Sequence, residues 1–237
     1  MASLQGVAGC CSASAQGRAR CAGRAFHSSR DRRRSLSMRP WSQATVQDYR
    51  RLPLRAHSLL HDVPVHDVWR VALPGGGPSR TMKDVRSVFE VARRSQRLSL
   101  PVRALFGLRW SIGRLFRWDR PPDKPEVWSF ASRLTDTDRL QSIVEPGTLD
   151  GPFTVLYVHA MEAVSEIRNA TVHGFLVWAL EPTPDGYQLL WAIHVLPVSA
   201  WTKPYLALID PFRRWLVYPA VLRRIHESWL RAFKSAV

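Results

Sequence analysis

Past residue 21 the chain contains no cysteine: all three, Cys10, Cys11 and Cys21, sit close to its start. The remainder can therefore form neither a disulfide framework nor a thiolate metal site, which suits a reducing, cytoplasmic setting. Long apolar runs are missing too. The uncharged stretch Gly186–Thr202 is broken by Gln188, His194 and Pro197 and falls short of the roughly 20 apolar residues a spanning helix needs, so no transmembrane helix is expected. Gly75, Gly76 and Gly77 satisfy neither GxGxxG nor a GK[ST] phosphate loop and read as a turn; no nucleic-acid motif is present and no cofactor is implied. Acids are scarce, 19 against 34 Lys and Arg, for a formal charge of +15.

That charge is unevenly placed. Residues 1–40 hold eight Arg against one Asp, residues 80–120 eleven Lys and Arg against three acids, and residues 201–237 seven against two. The first segment, rich in Ala, Ser, Gly and Arg, buries too little apolar surface to offset the entropy of ordering, so a disordered basic tail is expected over 1–40. Three readings compete for it: a lipoprotein box at Val7–Cys10, which no Lys or Arg precedes and whose apolar stretch is too short, an organellar transit peptide, or an over-extended reading frame with its true start at Met38, of which the last is preferred. Residues 41–237, with apolar residues at nearly half of all positions (46% over the whole chain), can bury a core and are expected to form one domain.

Within it, Val65, Asp67, Trp69 and Val71 alternate with His66, Val68, Arg70 and Ala72, a period-2 strand. After the Pro74–Pro78 turn, Thr81 caps a predicted helix with Val85, Val88, Phe89 and Ala92 inward, and a second basic amphipathic helix is expected over 99–117. Strands are expected at 127–134, 140–144, 153–164, 170–180 and 187–196. If the last hairpin closes around Pro182–Asp185, Leu180 faces Tyr187, Trp178 faces Leu189 and Leu176 faces Trp191, while His173 and His194 become cross-strand neighbours on the other face. No third ligand at recognisable spacing accompanies that pair, so no metal site is assigned.

From Trp201 to Phe233 apolar residues recur at 3–4 spacing: Tyr205, Leu208, Phe212, Trp215, Leu222, Trp229. Asp210-Pro211 reads as a helix start after a lead-in turn at Pro204, and Pro219 as a kink. Strand, two helices, about five antiparallel strands and a long aromatic helix give an α+β order, the order of a START-like, helix-grip fold: a curved antiparallel sheet packed on a proline-kinked C-terminal helix.

The stretches LLHDVPVHDVWRVALPGGGP (59–78), EIRNATVH (166–173) and TKPYLALIDPFRRWLVYPAVLRRI (202–225) resemble the uncharacterised bacterial family called domain of unknown function 2867. The resemblance runs over about 55–233 and implies the fold without supplying an activity. Three functions then compete. A binding module would hold a small apolar or aromatic ligand between sheet and last helix, lined by Trp178, Leu189, Trp191, Ile193, Phe212, Trp215 and Tyr218, although a filled core explains each of these singly. An enzyme would draw on Glu166, Arg168, His173 and His194, with Arg213 as an anion clamp. Attachment to an anionic membrane surface would use Arg103, Arg114, Arg117, Arg213, Arg224 and Arg231.

Overall fold

The computed structural model describes residues 39–95, 129–169 and 172–233. The expected 99–117 helix and the tail at 1–38 lie outside them. In chain order the elements are β1 (Trp41–Gln43), α1 (Val46–Arg50), α2 (Arg55–Leu59), β2 (Val65–Pro74), α3 (Met82–Ser95), a 3-10 turn (Phe130–Arg133), α4 (Asp136–Leu140), β3 (Leu149–Asp150), β4 (Phe153–Val158), β5 (Glu162–Arg168), β6 (Val172–Thr183), β7 (Gly186–Pro197), α5 (Thr202–Phe212), a π-helical turn (Arg213–Val217) and α6 (Tyr218–Phe233). The seven strands form one antiparallel sheet in the order β1-β2-β7-β6-β5-β4-β3. This is the α+β helix-grip arrangement, a curved sheet against a long C-terminal helix.

The β6–β7 hairpin closes more tightly than expected. Thr183 pairs with Gly186 across a two-residue loop, so Leu180 faces Leu189, Trp178 faces Trp191 and Leu176 faces Ile193. His194 consequently stands opposite Phe175, and His173 opposite Leu196, so the two histidines are not direct neighbours. The slip is two residues, an even number, and every side chain keeps its expected face. Gly186 makes the tight closure possible: its φ is +136°, and a Cβ there would meet Gly75 O at 2.6 Å and Leu73 O at 2.8 Å, because the glycine turn after β2 folds directly onto the hairpin.

Both sheet faces are covered. On the Trp face, Met82, Val85 and Val88 of α3 and Tyr218, Leu222, Ile225 and Trp229 of α6 pack with Val71, Leu73, Trp178 and Leu189. On the other face lie Tyr49, Ala56, Leu59, Phe130 and Leu134 with Val164, Phe175, Val177 and Leu190. That second layer departs from expectation. Residues 130–133 and Leu140, read within strands, are helical, and α1, α2 and most of α4 occupy stretches for which no helix is expected. Thr45 with Asp48, and Thr135 with Asp138, make reciprocal capping boxes that start five-residue helices too short to show a 3.6 period. The single strand read over 153–164 is two, β4 and β5, joined by a tight turn.

The C-terminal helix also starts earlier than expected. It begins at Thr202, with Pro204 in its first turn and Pro211 inside it, and Asp210 binds His66 and Arg213 instead of capping. Between Pro211 and Pro219 the ladder widens, the Tyr218 N–H donating to Arg213 O, five residues back. Pro219 has no N–H to offer the preceding turn, so that turn accommodates one extra residue at little further loss. One inserted residue rotates the following stripe by about 100°. Leu222 and Trp229 are therefore buried, whereas Phe212 and Trp215, in line with them at sequence level, face outward.

Candidate functional site

On the Trp face, α3 does not seal against the sheet. A cavity of about 170 Å³ lies among Arg86 and Phe89 of α3, the 150–153 turn, and Ala163, Ser165, Leu176, Trp178 and Trp191 of the sheet. Strand pairing explains the space. Ala163 faces Trp178 and Ser165 faces Leu176, so small side chains on β5 lie beside large ones on β6. Phe89 meets Trp178 edge to face at 5.1 Å, and the Trp178 and Trp191 centroids lie 5.4 Å apart. Arg86 and Asp150 pair at 2.9 Å, each about one-fifth exposed, and give the otherwise apolar lining one charged edge. Neither indole Nε1–H of Trp178 or Trp191 has a hydrogen-bond partner among the described residues.

Two of the seven expected lining residues, Trp178 and Trp191, line this cavity. The other five lie elsewhere. Leu189 is wholly buried in the packed core, Ile193 lies half-buried toward Tyr205, and Tyr218 is buried against Trp69 at 5.5 Å. Burial raises the Tyr218 pKa against the lowering effect of Arg213 beside it. Phe212 and Trp215 are exposed. Where α6 crosses the sheet, Leu222, Ile225 and Trp229 pack directly upon it, so the space opens under α3 and not beneath the last helix. Arg86, Phe89, Phe153, Ala163 and Ser165 were absent from the expected lining. Ala163 and Ser165 were readable in principle, as small alternate residues on a strand whose neighbour carries Leu and Trp.

The polar candidates divide into three places. Glu166, fully buried, accepts from His173 Nε2 at 2.9 Å, from the Phe130 N–H at 3.1 Å and from Ser129 Oγ, with Arg168 Nε at 3.4 Å. Burial raises the Glu166 pKa, but the hydrogen bonds from His173, Ser129 and Phe130 outweigh it and the net direction is downward, so it is a carboxylate and His173 is the donor. Phe130 and Phe175 enclose the His173 ring at 5.2 and 4.3 Å, and its Nδ1 is buried with no hydrogen-bond partner among the described residues. His194 belongs to a separate pair of contacts: Nδ1 donates to Val63 O at 3.0 Å and Nε2 accepts from the Tyr49 hydroxyl at 3.0 Å. Burial lowers its pKa, so it is held neutral. Arg213 is remote from both, bonded to Asp210 and Tyr218 at the π turn.

Among the described residues no group of three His, Cys, Asp or Glu is placed to hold a metal ion, and no helix is long and apolar enough to cross a membrane. No curated protein matches the chain. A family model described as "Protein of unknown function (DUF2867)" matches residues 59–220, the span that contains the strand, the Glu166–His173 hairpin and the proline-flanked π turn. With more than half of its length so matched, the chain belongs to the DUF2867 family.

Proposed function

We propose that this protein binds a small single-ring aromatic molecule carrying a hydrogen-bond acceptor, in the cavity between α3 and the sheet. The observation that carries the reading is the space of about 170 Å³ walled by Phe89, Trp178 and Trp191. Size selects the ligand class. An engineered apolar cavity of about 150 Å³ takes up benzene, whereas pockets for drug-sized ligands start near roughly 300 Å³. One ring fits; a steroid or lipid chain does not. Each buried donor left unpaired costs about 1–3 kcal/mol, and an acceptor on the ligand would offset that at an indole N–H. A ligand carboxylate would instead compete with Asp150 for Arg86.

Catalysis by Glu166 and His173 has less support, because both side chains are sealed from solvent and the carboxylate already accepts from three donors. The test is a titration of ¹⁵N-labelled protein with toluene and with benzonitrile, which is similar in shape but carries an acceptor. Saturable shifts of the Trp178 and Trp191 indole signals are expected, at lower concentration for benzonitrile, and their loss in Ala163→Leu. If neither probe moves either indole, the reading fails.

A further inference from the structure

The outward face of α5 and the π turn after it is apolar nearly from end to end. Trp201, Leu208, Phe212, Trp215 and Leu216 are all exposed, Trp201 by 64% and Trp215 by 79%, and they recur at helical spacing with the exposed Pro204, Ala207 and Pro211 between them. Lys203 is the one charged residue on this stripe. The inward face is ordinary: Thr202 and Tyr205 are buried, and Tyr205 packs with Val172 and Val195. A helix apolar on both sides has a second apolar environment to meet.

Charge discriminates among the occupants. The run from α5 to α6 carries Lys203, Arg213, Arg214, Arg223, Arg224 and Arg231 against Asp210 and Glu227 alone. A second copy would bring the same excess, on a chain of formal charge +15, onto the same face. Residues 96–128, with seven Lys and Arg against three acids, would do likewise. An anionic surface is the occupant that the apolar stripe and the cationic excess of this run both favour, although Arg213 and Arg214 also pair with Asp210 and Asp67. Trp at each end of the stripe suits the boundary between headgroups and acyl chains, where an apolar ring with one polar N–H is at its best. The helix is too short and its other face too engaged with the sheet to cross, so it lies in the plane.

We propose that this face of α5 is a membrane-docking surface that seats the protein on anionic lipid. The placement is independent of the ligand cavity, which opens under α3. The test is sedimentation of the full chain with vesicles of phosphatidylcholine alone and with vesicles containing phosphatidylglycerol, at low and high salt. Binding to the anionic vesicles that weakens with salt is expected, together with at least a tenfold loss of affinity in Leu208→Glu/Trp215→Glu. Both substituted side chains are exposed, so unchanged far-ultraviolet circular dichroism should accompany the loss. Absence of binding to the anionic vesicles, or equal binding by the variant, overturns the proposal. So does a dimer in sedimentation velocity that the same variant dissociates, which would assign the face to a second copy.

Discussion

Trp178 and Trp191 stand directly opposite one another in β6 and β7, their rings 5.4 Å apart and 34° from parallel. Two indoles in register, beside an alanine and a serine on β5, form a wall that α3 does not fully cover. Fully packed cores resist added methylenes, whereas a cavity accepts them. Ala163 lines the space and Ala179, one strand over, lies in the packed opposite face. Ala163→Leu is expected to change stability by less than about 1 kcal/mol, and Ala179→Leu to cost about 1–3 kcal/mol. Urea midpoints of the two variants check this. Equal costs would mean that the space is already filled.

Acid sensitivity follows from Asp138. Burial raises its pKa, but Arg55, bonded to both carboxylate oxygens, and Thr135, bonded to it through the cap, hold it down to about 2. A carboxyl depressed in the folded state contributes stability that is present above the unfolded value near about 4 and is lost as pH falls toward about 2. Asp138→Asn is expected to lower stability at neutral pH by about 2–3 kcal/mol and to flatten the acid limb in that window. Urea midpoints between pH 2 and 5 would show it.

The Tyr49–His194 hydrogen bond, joining positions 145 residues apart, pins α1 to β7. Burial depresses the His194 pKa, so the unfolded chain binds the proton more readily and stability from this group falls as pH drops below about 6.5. Tyr49→Phe leaves Nε2 buried and unpaired, and is expected to cost about 1–3 kcal/mol above that pH. Equilibrium unfolding of the variant at pH 8 and pH 5.5 measures both effects.

At the hairpin tip, Gly186→Ala is expected to cost more than about 2 kcal/mol, because the new Cβ meets the backbone oxygens of Gly75 and Leu73 and the φ of +136° is one that alanine resists. Thermal melts give the comparison. Gly147→Ala, where nothing lies within 4 Å of the added atom, should cost less although its φ is also positive.

Alternation of Leu and Trp in residues 172–196 showed the strands and assigned each side chain to its face, since a two-residue slip leaves faces intact. It did not show the register, which depends on how closely the Gly75 turn presses on Gly186, a tertiary contact. The π turn was equally invisible: 3–4 spacing continues through it in the sequence, and only backbone hydrogen bonding reveals that the stripe rotates between Trp215 and Tyr218. Trp178 and Trp191, which line the cavity, were legible as large side chains on that sheet face. Arg86 and Phe153 were not, because the cavity exists only once α3 and the 150–153 turn meet the sheet.

On this reading the space beside Trp178 and Trp191 admits one aromatic ring. Crystals soaked in bromobenzene test it most directly, through the anomalous signal of bromine. A single strong peak enclosed by Phe89, Trp178 and Trp191 is expected; a map with no peak there, or with that space occupied by ordered water or by a side chain, rules out ring binding at this cavity.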